Sequence, residues 1–290
     1  MPNACGAAYG WPVTNRVDAW WVEPLATALG LLVFFGYLTL RAFNGTHVWF
    51  PPYISPTVAP ALFTPVSGYP GAVPVDHAWL GAFPAWWPPF VPQSPALFVP
   101  ALAIAFRFTC YYYRGAYYKA FFLTPPSCAV RGAPRRYRGE AALFLFQNLH
   151  RYTLYCALFI LVFLWKEAAA AFVLDGRLGI GVGTVMMVVN AALLSAYAFG
   201  CHSWRHLIGG RSDCFSCGRH GPPRARTARN VWQTGLTPVR YSARYGLWKG
   251  SSWLNGKHML FAWCSLVWVA LTDAYIYLLS TRAITDWNTW

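Results

Sequence analysis

Five long apolar stretches, each close to the length needed to cross a lipid bilayer, constrain this chain more than any other feature of its sequence. About 20 residues of helix cross the roughly 30 Å of hydrocarbon in a membrane. Only 11% of the 290 residues are charged, whereas soluble domains carry about 25%. The sequence therefore predicts an all-α integral membrane bundle of five transmembrane helices, near residues 20–40, 96–113, 141–165, 178–206 and 253–279.

The positions of lysine and arginine predict the direction of these helices. Eight of the 23 lie between residues 107 and 151 and ten lie between residues 205 and 257, whereas the stretch 42–106 has none. Cytoplasmic loops of membrane proteins carry the excess of positive charge. We therefore expect a cytoplasmic N-terminus, an irregular outer cap over residues 44–95 and a basic cytoplasmic loop over residues 209–251.

The same distribution argues against a nucleic-acid-binding protein, despite a net charge of +14. A nucleic-acid binder spreads its basic residues over a soluble face, whereas these lie in the gaps between apolar stretches. A transporter is a second rival, but it is expected to carry polar groups at mid-membrane, where this chain is apolar. The interpretation is a single membrane-anchor domain over residues 1–290, in the cytoplasmic membrane and in contact with its lipids.

Thiols and imidazoles gather near the cytoplasmic ends of four predicted helices. Ionisable groups within a membrane are costly and usually functional, and soft thiols with imidazoles at one depth are typical of a metal centre. The alternative for each residue is a packed thiol or a histidine bonded to a carbonyl. The candidate metal ligands are Cys110, His150, Cys201, His202, His206 and His258.

The spacing of these residues allows two kinds of centre. A bis-histidine haem needs ligands on opposite sides of its ring, and His202 and His206 share one helix face, so one of them would have to face His150 or His258. A two-iron cluster of the Rieske type instead takes two cysteines and two histidines. Cys110, Cys201 and a histidine pair fit that stoichiometry.

Other conspicuous residues give weaker signals. Cys214 and Cys217 form a Cys-x-x-Cys pair with His220 nearby, which is half of a zinc site, and an unliganded pair is the favoured interpretation. Glu140 and Asp273 are the scarce acids near the predicted helices. Asp273 is expected near the outer side, in a hydrogen bond at the interface.

Five short motifs occur in order along the chain: TCYYYR at 109–114, PPSCAV at 125–130, QNLHRY at 147–152, CHSWRHL at 201–207 and LNGKHM at 254–259. Together they resemble the single-chain membrane anchor of the actinobacterial-type succinate dehydrogenases. That branch is similar to a fused cytochrome b subunit but carries an embedded Rieske-type [2Fe-2S] cluster in place of haem. The resemblance runs from about Trp21 to Leu279.

The resemblance implies a subunit without a succinate site of its own, which docks with a flavoprotein and an iron–sulfur subunit and passes electrons to menaquinone. A haem b cytochrome-type anchor is the alternative. Arg114, Arg151 and Arg205 within the motifs are the candidate cofactor-binding residues. One departure concerns helix four, where Trp204 and Ile208 replace cysteines of the family pattern, so either Cys110 supplies the second thiolate or the centre is altered.

Overall fold

A computed structural model describes residues 19, 21–65, 69–122, 146–209 and 243–290. Within these ranges, four helices are long and apolar enough to cross a membrane, and two shorter helices that meet at 78° make up to five if that bent pair counts as one crossing. The all-α membrane bundle predicted from the sequence is therefore confirmed. The long helices are α1 (Val22–Asn44), α4 (Phe146–Ala170), α5 (Val182–Phe199) and α8 (His258–Ser280), and the bent pair is α2 (Phe98–Thr109) with α3 (Tyr111–Phe122).

Three of the five predicted spans differ from the structure in the same way, because each is broken near one end. The second predicted span, 96–113, breaks at Cys110, whose extended backbone separates α2 from α3. The fourth, 178–206, is divided into α5 and the short helix α6 (His202–Ile208). The fifth, 253–279, is preceded by helix α7 (Ala243–Gly256), and α8 begins only at His258. Hydropathy alone does not register such breaks.

The break after α5 is stabilised by side chains from α7. Carbonyl groups at a helix end lack partners within the helix and must find them elsewhere, most of all in a membrane. Ser251 donates to the Phe199 carbonyl at 2.9 Å, and Asn255 donates to the Gly200 carbonyl at 2.8 Å. A Cβ atom on Gly200 would lie 3.1 Å from the Leu254 backbone, so glycine permits this close approach.

The first helix of the bent span is short, and the outer cap precedes it in the chain. Helix α2 has 12 residues, which at 1.5 Å per residue extend only about 18 Å, well short of a full crossing. Prolines crowd its start, and Pro95 begins the 3₁₀ turn that leads into it. The cap is mostly irregular, as predicted, but contains the antiparallel strands β1 (Trp49–Phe50) and β2 (Tyr53–Ile54).

A buried ion pair ties the cap to the bundle. Asp273 on α8 is fully buried and accepts hydrogen bonds from Arg41 of α1 at 2.7 and 3.3 Å. Tyr37, Ser55 and Thr57 donate to the same carboxylate. The expectation of a hydrogen bond at the outer interface was wrong, because Asp273 lies inside the protein, where a carboxylate requires a cationic partner.

The last residues of the chain close the outer end of the bundle. Asp286 accepts hydrogen bonds from Tyr275 of α8 and from Tyr53 of the cap, and burial together with this carboxylate raises the pKa of Tyr53. The Tyr53 ring lies against Gly183, where a Cβ atom would come within 2.5 Å of the ring. The hairpin of β3 (Val173–Leu174) and β4 (Arg177–Leu178) joins α4 to α5.

Candidate functional site

Two thiols and two imidazoles from separate segments form contacts at the end of the bundle where helices are broken. His150 Nε2 lies 3.0 Å from the Cys201 sulfur, and His258 Nε2 lies 3.5 Å from the Cys110 sulfur. Ring contacts connect the two pairs, because Phe106 stacks on His150, Tyr197 stacks on His258, and the Phe106 and Tyr197 rings meet edge-on. Four of the six candidate metal ligands thus form two cysteine–histidine pairs, and their role as ligands stays a prediction.

The helix breaks position three of these four donors. Cys110 lies at the bend between α2 and α3, Cys201 immediately precedes α6, and His258 is the first residue of α8. His150 projects from the first turns of the continuous helix α4. The breaks thus place three of the donors at helix ends, where Cys201 meets His150 and His258 meets Cys110.

Thr109 contacts one ring nitrogen of His150. The Thr109 hydroxyl lies within hydrogen-bond distance of the Ala105 carbonyl at 2.8 Å, and its oxygen lies 2.9 Å from His150 Nδ1. When the hydroxyl donates to Ala105, its oxygen accepts from Nδ1–H, which leaves the lone pair of Nε2 directed at Cys201. A hydrogen bond that fixes the outer nitrogen in this way is typical of metal-binding histidines.

An aromatic ring stacks on each imidazole. Phe106 stacks on His150 with ring centroids 4.8 Å apart, and Tyr197 stacks on His258 at the same distance. These rings restrict both imidazoles to one orientation. Two polar atoms beside them, the Tyr197 hydroxyl and His258 Nδ1, are buried without a hydrogen-bond partner among the residues described.

The sequence-based reasoning missed a buried arginine next to the four donors. Arg107 is 5% exposed and donates to the Tyr113 hydroxyl, the Ala262 carbonyl and the Ser265 hydroxyl. Its guanidinium carbon also lies 4.8 Å from the centre of the Tyr197 ring. Arg107 had been counted only as one of the cytoplasmic positive charges, although an arginine inside an apolar helix is itself a signal of function.

An apolar cavity separates this site from the outer cap. Arg107, Phe106 and Tyr197 form its inner end, and Pro56 and Thr57 of the cap form its outer end. Side chains from all five crossings line the space between them: Phe34, Leu38, Val99, Ile160, Leu194 and Val269 are examples. The cavity thus offers an apolar ligand a place with one cationic end.

The remaining imidazole candidates lie to one side of the site. His202 is exposed, and its ring stacks on that of His206 with centroids 6.2 Å apart. His206 and Arg151 line a small pocket between α4 and α6.

The other two candidate arginines are held by aromatic rings. Arg114 is buried on α3, with its guanidinium carbon 5.2 Å from the ring centre of Tyr111. Arg205 on α6 donates to the Ser252 hydroxyl at 3.0 Å and lies over the ring of Trp248. Neither lines the cavity, and their assignment as cofactor-binding residues stays a prediction.

Within the described ranges, no group of three or more histidine, cysteine, aspartate or glutamate side chains could hold one metal ion. The donors instead form two cysteine–histidine pairs. The predictions for Cys214, Cys217, His220 and Glu140 lie outside the described residues.

Two comparisons with known proteins point to the same family. A family model described as actinobacterial succinate dehydrogenase subunit SdhC matches residues 22–282. Among solved structures, the chain is similar to one in the Mycobacterium smegmatis Sdh1 complex in the apo form, at 35% sequence identity and a TM-score of 0.75. That match covers 98% of this chain and 96% of the other. A search of curated proteins found no significant match.

Proposed function

Because this chain belongs to the family of actinobacterial succinate dehydrogenase SdhC subunits, we propose that it carries electrons from an iron–sulfur subunit to menaquinone through a Rieske-type [2Fe-2S] cluster. The ligands would be Cys110, Cys201, His150 and His258. The observation that carries the proposal is the meeting of two thiols and two imidazoles as two contacting pairs. Bound there, the cluster would supply one-electron transfer.

The donor set fits such a cluster. A two-iron cluster needs two protein ligands for each iron, so it requires four donors but no three around a single point. The imidazole nitrogens and sulfurs of these four residues are the donor types that such a cluster takes, and all four residues lie in contact as pairs. The sequence prediction that both thiolates share one iron stays a prediction.

Haem b fits the same residues less well. Two axial histidines would have to direct their nitrogens at one iron from opposite sides. Here His150 Nε2 is directed at Cys201, and His258 Nε2 is directed at Cys110. Both sulfurs would be without a role in a haem site, whereas a two-iron cluster uses all four donors.

The cavity is the proposed place for the quinone ring. An electron acceptor must approach the cluster ligands, and Tyr197 is the one residue that both stacks on His258 and lines the cavity. Arg107 at the same end can donate a hydrogen bond to a ring carbonyl, while the apolar lining suits the rest of the molecule. The chain itself would bind and orient the acceptor and would exclude water from it.

The proposed partners follow from the family and from charge. A flavoprotein and an iron–sulfur subunit would dock at the cytoplasmic end, where the four donors lie and where positive charge is concentrated. This orientation places the cap on the outer side of the cytoplasmic membrane. Reporter fusions after Gly71 should therefore read outside, and fusions after Gly221 should read cytoplasmic.

Isolation of the native complex tests the proposed function. Mass spectrometry should identify a flavoprotein and an iron–sulfur protein in fixed ratio with this chain. Iron analysis should then exceed the content of the iron–sulfur partner by two atoms per copy of this chain, and an alkaline pyridine haemochrome spectrum should show no haem b. A haem spectrum with no excess iron would instead support the cytochrome-type alternative.

A further inference from the structure

One stretch of the outer cap exposes four large apolar side chains. This stretch, the cap rim, runs from residue 79 to residue 91. Trp79, Leu80, Trp86 and Phe90 are 56%, 61%, 74% and 86% exposed. Exposed apolar surface of this kind marks a contact with another protein or with lipid.

A ring contact with α4 gives the level of the cap rim along the bundle. The Trp79 ring meets the Phe163 ring edge-on, with centroids 4.5 Å apart. Lys166 and Glu167 follow Phe163 within about one turn and form an ion pair, and the Lys166 side chain is 60% exposed. Charged side chains near the end of a membrane-spanning helix lie at the level of the headgroups. Three residues of helix are about 4.5 Å long, so Trp79 lies just on the hydrocarbon side of that level.

A second contact, with α2, gives nearly the same level. The Trp87 ring lies 5.9 Å from the ring of Phe98, the first residue of α2. Phe98 lies 11 residues before Thr109, which contacts His150, so the levels of Phe98 and His150 are about 16 Å apart. On α4, Lys166 lies 16 residues after His150, or about 24 Å away. Both tryptophans therefore lie on the hydrocarbon side of Lys166.

The backbone of the cap rim suits a level at which water is scarce. An irregular segment there must leave few N–H groups without acceptors. Prolines occupy four of the nine positions from residue 84 to residue 92, and proline carries no N–H. Two of the other five amides donate within the segment, Trp87 to the Pro84 carbonyl and Val91 to the Pro88 carbonyl. At most three amides of the segment thus need acceptors from elsewhere.

The cap rim also continues the exposed apolar surface of α4. Phe159 and Val162 are 53% and 67% exposed on this membrane-spanning helix. The Phe159 ring lies 4.8 Å from the Phe163 ring, which in turn contacts Trp79. The lipid that covers Phe159 and Val162 is therefore adjacent to the cap rim.

We propose that the cap rim binds lipid, with Trp79, Trp86 and Phe90 at the boundary between the headgroups and the acyl chains of the leaflet on the cap side. Tryptophan is enriched at this boundary, because its ring is apolar and its N–H group is polar. Residues 42–106 contain no lysine or arginine, so the attraction is apolar rather than electrostatic. The proposal is independent of the iron cluster and of the quinone.

Photo-crosslinking of the intact complex in its native membrane tests the proposal. Photoreactive p-benzoylphenylalanine, which forms bonds with neighbouring C–H groups on illumination, would replace Phe90, Trp86 or Asp76 in three separate variants. Asp76 is the control, because its side chain is 78% exposed, close to the 86% of Phe90, but carries a charge that keeps it on the water side. Mass spectrometry should find lipid adducts at positions 86 and 90 in several times the yield found at position 76.

Equal yields at the three positions would overturn the proposal, and so would cross-links from the cap rim to a second copy of the chain or to another subunit. Hydroxyl-radical footprinting of the wild-type complex in lipid nanodiscs provides a test without substitutions. Trp86 should be protected from oxidation there, whereas His77, whose side chain is 49% exposed, should be oxidised. Oxidation of Trp86 at the rate found in the unfolded chain would also overturn the proposal.

Discussion

Removal of the Asp273 carboxylate should destabilise the bundle through the charge left behind on Arg41. In Asp273→Leu the Arg41 guanidinium, whose side chain is only 7% exposed, stays buried without its anionic partner. Breaking a buried ion pair in this way costs about 3–5 kcal/mol. Ser55 and Thr57 of the cap also lose their acceptor, at about 1 kcal/mol each.

The double variant Arg41→Met with Asp273→Leu separates charge from packing. With both charges replaced by apolar side chains, no charge remains buried, and most of the 3–5 kcal/mol should be recovered. The residual cost reflects the cap hydroxyls and the carbonyls of Thr46 and His47, to which Arg41 also donates. The double variant should therefore be more stable than Asp273→Leu alone.

Titration of the purified chain with sodium dodecyl sulfate, followed by circular dichroism, measures these free energies of unfolding. The two single variants and the double variant form a cycle whose coupling term should be about 3 kcal/mol. If the double variant is destabilised by the sum of the single changes, the two residues act independently. The ion pair would then not be what holds α1 against α8.

Two further substitutions test how the site is built. Thr109→Val should keep the packing but lower the affinity of the complex for iron about 10- to 100-fold, because the His150 tautomer is no longer fixed. Unchanged iron binding would contradict the role given to Thr109. Gly200→Ala should destabilise the chain by about 1–3 kcal/mol, because its Cβ meets the Ala196 carbonyl at 2.8 Å, whereas Gly246→Ala, with open space, should not destabilise it. Equal thermal stability of the two alanine variants would contradict this account of the break.

Hydropathy and charge predicted the number and type of the crossings because burial in lipid demands long apolar helices whatever their partners. The breaks at Cys110 and Gly200 escaped prediction for a physical reason. A helix can end inside an apolar stretch when another segment satisfies its carbonyls, as Ser251 and Asn255 of α7 do for α5. Such partners are distant in sequence and leave no local signal.

The candidate site was predicted in part. Cys110, His150, Cys201 and His258 were selected by their residue type and depth, and the structure pairs His150 with Cys201 and His258 with Cys110. His202 and His206 share that depth but lie to one side, because α6 turns away after Cys201. The supporting residues were missed: Thr109 and Tyr197 act through contacts that only the packing reveals, whereas Arg107 did carry a signal as an arginine inside an apolar helix.

Cys110 and Cys201 are proposed to hold a two-iron cluster together with two histidines. Electron paramagnetic resonance of the reduced native complex and of its Cys201→Ser variant tests this proposal most directly. The wild type should give a Rieske-type signal with a potential between roughly −150 and +300 mV. Cys201→Ser should abolish that signal while the complex still assembles, and Cys156→Ser, at a half-buried thiol on α4, should leave it intact. A wild-type complex without this signal, or a Cys201→Ser variant that retains it, would contradict the account.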